Sequence, residues 1–581
     1  MKMNRMEILV SAGALFLGMY IVFAWTQNNF SFPDFSYYRN IILFMGGIPS
    51  PALYSQLGKV VLLFPTTLLF SIALMHSGIR FPRLSTIRHR SAVPVVLLTA
   101  TLVLILSTQY LFHETEVTDD ENVYDFQAQT LLAGRLVNPP PPVSTSFENV
   151  FTINDGKHWS GRYTMGHPVV LAAGMILGNR YIGTITISIL TLFLLYLISR
   201  ELYSDKRIAL LALCLGAVSP YFYLVSSSRL SHTTSAFSLV LFLYLFLKSR
   251  RTEKLRPAIL FSLFAGLSLG FAFSTRPWTA FAWSLPFLVV MVKDALHFSK
   301  HTIVKGVMIT AGFAVLFLCT LYCNAAVTGH SMLFPYSLYS SSEHLGFSLG
   351  GHTPLGGIRN LAVCCTRLNT ILFGFPVSLL FVFAFLFSKK EFGDRLSFAI
   401  IGSIAVFYLG FYSAGVSDLG PVYYYEILIP LLLLSARGVF FLHEKLSAQS
   451  AEGRKFVPAF LALSFLAALG TSIPERISHV SRLTQQIREP YETVQAVGIH
   501  HALVMIKPFV PSGWVFGIRN PSPRFTDDVV YCQYADSVSN QKVVYYFHDR
   551  SPYILEYDTA VAHFVVLPVN KETRKPVLLS P

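Results

Sequence analysis

Apolar runs long enough to cross a bilayer recur along almost the whole chain, and they constrain its fold more than any other feature. A helix needs about 20 mostly apolar residues to span the hydrocarbon core. Such runs occur at Ile8–Trp25, Val60–Ser77, Ala92–Phe112, Tyr181–Ile198, Ile208–Val225, Thr233–Leu247 and Ile259–Ser274. They continue at Trp278–Val292, Ile303–Cys323, Thr370–Phe387, Phe398–Ser413, Tyr424–Leu442 and Phe456–Thr471. The pattern predicts an all-α polytopic membrane protein with about thirteen transmembrane helices. Charged residues make up only 13% of the chain, against roughly a quarter in soluble domains. The first run lacks a small-residue cleavage site and reads as an anchor.

Orientation follows from Lys and Arg in the short loops. Arg80/Arg83/Arg88/Arg90, Arg200/Lys206/Arg207, Lys248/Arg250/Arg251/Lys254/Arg256, Lys293/Lys300/Lys305, Lys389/Lys390/Arg395 and Lys445/Arg454/Lys455 fall on one side, with Lys2 and Arg5. That side is expected to be cytoplasmic, in a bacterial inner (plasma) membrane. The net charge of +14 therefore orients the protein in the membrane and does not imply nucleic acid. The long loops Thr26–Gly58, His113–Arg180, Asn324–Asn369 and Gly415–Val422, and the tail after Ser472, face the periplasmic or extracellular side, and chemistry is expected there. The expected organisation is two N-terminal helices over 1–91, a transmembrane core over 92–472 with outer loops 113–180 and 324–369, and a small extracytoplasmic domain over 473–581.

The outer stretch His113–Asp125 holds six acids, in a chain with only 31 Asp plus Glu. Thr118-Asp119-Asp120-Glu121 fits a capping box, with Thr118 as N-cap and Glu121 reaching back. Val123, Tyr124, Gln127, Ala128, Leu131 and Leu132 then recur at helical spacing, and Gly134 is a stop signal. The segment reads as a short amphipathic helix lying along the outer interface. Acids at a helix start are favoured by the helix dipole without any chemistry. Their number and place add a second reading: a carboxylate at the membrane edge loses solvation, so its pKa rises and it becomes a better proton acceptor near neutral pH.

Other segments are less specific. Tyr163-Thr164-Met165-Gly166-His167-Pro168 opens an apolar segment, Val169–Leu177, too short to span. It reads as a re-entrant or interfacial helix beside a groove near His167. Asn138-Pro139-Pro140-Pro141-Pro142 is a stiff extended linker. The cysteines Cys214, Cys319, Cys323, Cys364, Cys365 and Cys532 form no CxxC pair, which argues against a zinc site. Cys323 with Cys364 or Cys365 is an alternative disulfide to free core thiols. No phosphate-binding glycine loop occurs in a strand–helix setting, so a soluble nucleotide-sugar site is not indicated. A divalent ion at the acidic loop is compatible with the acids but required by no spacing.

Asp120-Glu121-x-x-Tyr124, with Ala128 and Gly134 beyond it, resembles the first outer loop of GT-C superfamily glycosyltransferases such as protein mannosyltransferases and the aminoarabinose transferase of lipid A. Ser219-Pro220 leading to Ser231-His232, Thr275-Arg276-Pro277-Trp278, Asn324 with Thr328-Gly329 and Pro335-Tyr336, and Gly420-Pro421-Val422-Tyr423-Tyr424-Tyr425-Glu426 continue the likeness in order, over roughly Ala92 to Gly438. Two spans precede this core. Val422 stands where an Arg is expected, so no phosphate contact is assigned there.

The resemblance implies a GT-C-like core, a polyprenyl-phosphate-sugar donor, a glycan, lipid or protein acceptor, surrounding membrane lipids, and inverting transfer. It implies Asp120 as general base, with Asp119 next if the alignment slips by one residue; Glu121 orients the acceptor or only completes the capping box. Tyr124, His167, Arg229, His232, Arg276, Tyr424 and Glu426 are the expected substrate-binding residues, and the outward cations Arg229, His232, Arg276, Arg359 and Arg367 the candidates for the leaving phosphate. Each has a plainer reading: the arginines snorkel to headgroups, His232 is a hydrogen-bonded structural residue, and Tyr424 and Glu426 belong to an aromatic belt at a helix start.

In the tail, Thr484–His500 reads as a helix, and Ala502–Ile506, Val529–Cys532, Val543–Phe547, Tyr553–Tyr557 and His563–Val569 as short strands of an α/β or α+β domain. A transporter or lipid flippase is the alternative function, and a non-catalytic assembly protein a third. Acids gathered in outer loops rather than at mid-bilayer favour the enzyme.

Overall fold

A computed structural model describes residues 5–29, 51–77, 79, 89–296, 299–340, 345–347, 351–507, 518–561 and 563–569. Most of the outer loop Thr26–Gly58, Lys2 and the basic loop from Arg80 to Arg88 lie outside the described residues.

Among the described residues, seven helices are long and apolar enough to cross a membrane: Ser91–Leu111, Tyr181–Leu202, Leu255–Thr275, Lys300–Thr328, Phe392–Leu409, Val422–Gln449 and Gly453–Ala496. An eighth span is the pair Lys206–Ala217 and Pro220–Ser226, bent by 58°. The bend has a local cause. Pro220 starts a new helix, Ser219 Oγ accepts the Phe222 N–H (3.3 Å), and the same hydroxyl donates to the Leu372 carbonyl (2.6 Å). The chain is thus a multi-pass membrane protein; among the described residues, seven or eight of the expected spans are long and apolar enough to cross. Helix Ser231–Arg251 begins with a polar Ser-His-Thr-Thr-Ser turn, and Pro277–Ala295 contains Pro286 and a charged end.

The run Thr370–Phe387 is not one helix. Helix Pro354–Ile371 stops, and a short helix, Leu380–Phe385, follows the gap. Gly374 adopts φ +70° and Pro376 lacks an N–H, so the helix cannot continue. Asn369 closes the break, donating to the Pro376 carbonyl (2.6 Å) and accepting the Leu379 N–H (3.1 Å).

The acidic segment forms a helix, Asp119–Leu132. It ends where Gly134 takes φ +74°, letting Gly134 and Arg135 donate back to the Leu131 and Thr130 carbonyls. It is not an exposed interfacial helix: every residue from Glu121 to Ala128 is buried. The reason is a second cover. Phe126, Phe147 and Trp159 from the segment 113–180 share one apolar core with Leu503, Met505, Val530 and Val543 of the tail.

The tail packs a sheet of order β2-β1-β3-β4, built from β1 Ala502–Ile506, β2 Val529–Gln533, β3 Ser551–Asp558 and β4 His563–Pro568. β1 runs parallel to β2 and β3, β4 is antiparallel to β3, and central β1 is buried throughout. The helix before it is longer than expected, Ser472–Ala496. The segment Val543–Phe547 is not a strand but closes helix Ser537–Tyr546. Asp536 caps that helix by accepting the N–H groups of Val538 and Ser539 (2.9 and 3.0 Å), and the cap overrides the strand preference of the Val-Val-Tyr-Tyr run.

Candidate active site

Consecutive helical residues project about 100° apart, so the adjacent acids of helix Asp119–Leu132 face different walls. The capping box forms only in part. Thr118 has the extended backbone of an N-cap (φ −144°, ψ 151°), but its side chain does not cap. Glu121 does reach back, one residue further than expected: Oε1 accepts from the Val117 N–H and the Thr118 hydroxyl (both 3.3 Å). Its other oxygen accepts the Arg229 N–H (3.0 Å). That long-range donor competes for the carboxylate. Burial pushes the Glu121 carboxyl up to about 7, with Arg229 opposing and Glu116 and Asp125 adding to the rise.

Behind Glu121 lies an ionic network centred on a buried arginine and closed at its rim by two partly exposed ones. The fully buried Arg229 guanidinium pairs through Nη2 with Glu116 (2.7 Å) and Asp125 (3.0 Å), and through Nη1 donates to the Tyr181 hydroxyl and the Glu114 carbonyl (3.3 Å). Arg180 reaches Asp125 (2.5 Å) and Arg519 reaches Glu116 (3.2 Å). Burial alone would raise the Glu116 carboxyl, but Arg519, Arg229 and Arg180 outweigh it and hold it well below the usual carboxylate range. Each guanidinium comes from a different place: the N-terminal end of helix Tyr181–Leu202, the turn before Ser231–Arg251, and the tail. Asn122 adds to the last link, donating to the Ile518 carbonyl and accepting the Asn520 N–H (both 2.8 Å).

Asp120 points the other way. Its Oδ1 accepts the Tyr163 hydroxyl, and that hydroxyl in turn accepts from Arg162 Nη2 (3.0 Å). The Arg162 guanidinium sits 3.5 Å from the Phe151 ring centroid and 5.1 Å from that of Tyr339. Tyr124 stacks beside Tyr163 (centroids 4.5 Å apart), and its hydroxyl donates to Ser231 Oγ (2.8 Å). Arg276 Nη1 donates to the same Ser231 Oγ (3.2 Å), and Arg276 Nε lies 3.4 Å from Glu426. Glu426 is fully buried and also takes His232 Nδ1 (3.2 Å). The Arg276 side chain keeps 15% of its surface open. Asp120 is half-buried, as is Asp119. Tyr163, which holds Asp120, lies against Tyr124, and Tyr124 and Arg276 share the Ser231 hydroxyl, so two tyrosines and a serine link the carboxylate to the guanidinium across one polar space.

Two close approaches build this space. A Cβ on Gly166 would fall 2.4 Å from Thr275 Oγ1 and 2.7 Å from the Ser274 backbone, so only glycine lets helix Gly166–Ile176 seat against the end of Leu255–Thr275. Thr164 Oγ1 donates to the Thr275 carbonyl (3.0 Å), and Arg276 follows directly. Beneath Tyr163 lies an apolar cavity of about 140 Å³, lined by Tyr163, Gly166, Phe271, Leu316, Cys323 and Val327, between helices Leu255–Thr275 and Lys300–Thr328.

The structure therefore brings together Asp120, Tyr124, His232, Arg276 and Glu426, and sets Glu121 and Arg229 behind them. His167 is fully buried, with Nε2 against the Arg229 carbonyl (2.6 Å) and Nδ1 against Thr234 Oγ1 (2.8 Å). A carbonyl can only accept, so Nε2 carries the proton and Nδ1 accepts the hydroxyl; both nitrogens are occupied within the fold. Tyr424 turns to Tyr408 (centroids 5.7 Å), while its neighbour Tyr423 lies under the Arg276 guanidinium at 5.3 Å. Arg359 and Arg367 sit on helix Pro354–Ile371, exposed and half-buried. All six cysteines are free. Among the described residues no group of three or more His, Cys, Asp or Glu converges as metal ligands, and the acids behind Asp120 are matched by guanidiniums, so no step is derived through a metal. Sequence reasoning assigned no role to Arg162, Tyr163, Glu116, Asp125, Arg180 or Arg519. The signal available for some of them was position: two unassigned acids flanking the box, and an Arg immediately before a span.

The family described as dolichyl-phosphate-mannose-protein mannosyltransferase matches residues 177–322, the stretch that holds Arg229, His232 and Arg276. No curated protein matches the chain. Among solved structures, ArnT from Cupriavidus metallidurans bound to undecaprenyl phosphate aligns with a TM-score of 0.50 at 11% identity, over 80% of this chain and 93% of that one. The archaeal oligosaccharyltransferase AglB from Archaeoglobus fulgidus, in complex with an inhibitory peptide and a dolichol-phosphate, aligns at 0.45 and 15% identity, over 68% and 56%. The arabinosyltransferase EmbB from Mycobacterium smegmatis aligns at 0.37 and 14%, over 75% and 43%. This chain carries the fold of the GT-C superfamily of membrane glycosyltransferases.

Proposed function

We propose that the protein is an integral-membrane glycosyltransferase that moves a sugar from a polyprenyl-phosphate carrier to an acceptor hydroxyl on the outer side of the inner membrane, with inversion. The observation that supports the reading is the link from Asp120 through Tyr163, Tyr124 and Ser231 to Arg276, beside an apolar cavity between two transmembrane helices. Asp120 takes the acceptor proton as oxygen attacks the anomeric carbon. The Tyr163 hydroxyl donates to it and fixes its direction, and Arg162 holds Tyr163. The carbon–phosphate oxygen bond breaks on the opposite face, and the lipid phosphate leaves as an anion beside Arg276. Glu426 and Ser231 hold that guanidinium, and His232 completes the Glu426 contacts. Asp119, one residue before, is the alternative base. Glu121 has its oxygens engaged by backbone and hydroxyl donors and serves as a brace.

Purified protein supplied with labelled polyprenyl-phosphate sugars tests the reading. Asp120→Asn should lower turnover by about 10²–10⁴-fold with the fold retained, and the wild-type product should have the anomeric configuration opposite to the donor. Full turnover in both Asp119→Asn and Asp120→Asn removes the base assignment; a product with retained configuration removes direct displacement.

A further inference from the structure

The end of the bundle remote from Asp120 holds a larger cavity, of about 1010 Å³. It lies between the last turns of helices Ser231–Arg251 and Pro277–Ala295 and the first turns of Lys300–Thr328. Helix Ser231–Arg251 starts beside Arg276 and ends at this cavity, so its 21 residues separate the two places by about 30 Å. The walls are apolar and open outward: Leu288, Val292, Ile303 and Val307 are each about half exposed, on a surface that a bilayer covers. The mouth is charged. Arg250 gives two hydrogen bonds to Asp294 (2.8 and 3.0 Å), while Arg251 (3.2 Å) and Lys248 (2.5 Å) share Glu201. Lys305 donates to the Thr252 carbonyl (3.2 Å) and has no carboxylate within ion-pair distance among the described residues. Of these, three cations (Arg250, Arg251 and Lys305) and one carboxylate (Asp294) line the cavity. The floor at Gly306 is open: a Cβ there would meet only the Met291 methyl, at 3.9 Å.

We propose that this groove binds an anionic glycerophospholipid, its acyl chain along Leu288, Val292, Ile303 and Val307 and its phosphate at Lys305. The apolar walls select a lipid over a free phosphate, and the excess of two cations selects an anionic over a zwitterionic headgroup. The site does not depend on the transferase reading.

Native mass spectrometry and thermal unfolding of the full chain in detergent test it, with phosphatidylglycerol, phosphatidylcholine of the same chains, glycerol phosphate and undecaprenyl phosphate as probes. Phosphatidylglycerol should stay bound to the folded protein and raise Tm, while phosphatidylcholine and glycerol phosphate should do neither. Lys305→Gln should weaken that binding about fivefold. Gly306→Leu fills the groove without changing charge and should abolish it. Lipid counts are read on the folded species, so a lowered Tm in a variant does not obscure the result. Equal responses to the two phospholipids overturn the proposal. So does unchanged phosphatidylglycerol binding in both variants, or displacement of phosphatidylglycerol by equimolar undecaprenyl phosphate.

Discussion

Asp120 and Glu121 are neighbours on one helical turn, yet they belong to regions built on opposite rules. The region behind Glu121 is closed: Arg229 has no exposed surface, Glu116 and Asp125 are matched to it, and three elements contribute the guanidiniums. The region in front of Asp120 has no such buried central cation: Asp120 is half-buried and the Arg276 side chain keeps 15% of its surface open. A closed ionic network fixes position, because removing one partner strands a charge in low dielectric. An open pair can change its charge state or partner as a reaction proceeds. The acidic stretch therefore divides its work by direction rather than by residue type.

Breaking the closed region should have the largest effect. Arg229→Ala leaves Glu116 and Asp125 buried without their central cation and should cost about 3–5 kcal/mol, seen as a large loss of folded protein and a lowered Tm in detergent. A near wild-type Tm would mean that Arg180 and Arg519 suffice. Breaking the open region should act on rate. Arg276→Gln is expected to lower turnover of a lipid-phosphate sugar by about 10²–10³-fold and also to lower Tm, because buried Glu426 keeps only His232; unchanged turnover would remove Arg276 from the phosphate site.

Glu121 sharpens the boundary through pH. Burial holds its folded pKa at about 7, above the ordinary glutamate value of 4.5, so the folded state holds the extra proton between those values. Its contribution is fully present below about 4.5 and is lost as pH rises through about 7. Glu116, shifted downward, acts at lower pH and leaves this window alone. Wild-type stability should thus drift down by about 1 kcal/mol or more across the window, and Glu121→Gln should flatten that drift; parallel Tm–pH curves for the two proteins would refute it. The smallest effect should be Arg519→Ala. Its side chain is 36% exposed, so the loss should be about 1 kcal/mol or less, together with faster proteolysis between the helix Ser472–Ala496 and the tail sheet.

Much of this was legible in the chain. The apolar runs gave the multi-pass class, the order of short motifs gave the GT-C likeness, and the cap and stop residues placed helix Asp119–Leu132 closely. Asp120, Arg276, Glu426 and His232 are implied as site residues by the resemblance of their short motifs to the GT-C pattern. Arg162 and Tyr163 were missed as actors because their importance lies in facing Asp120 from 42–43 positions away. The broken run at Thr370–Phe387 and the helix in place of the Val543–Phe547 strand were missed for a different reason. There, single residues, Gly374 with Pro376 and the cap Asp536, outweighed the average preference of the window.

The sequence by itself determined which segments leave water and where the scarce charges sit along the chain, because hydropathy and helical period act locally. Only the tertiary structure decided which carboxylate was sealed and which was left open. That choice depends on Arg229, Arg519 and Tyr163 arriving from distant segments, and electrostatics in a low-dielectric interior is set by distance in space, not by separation along the chain.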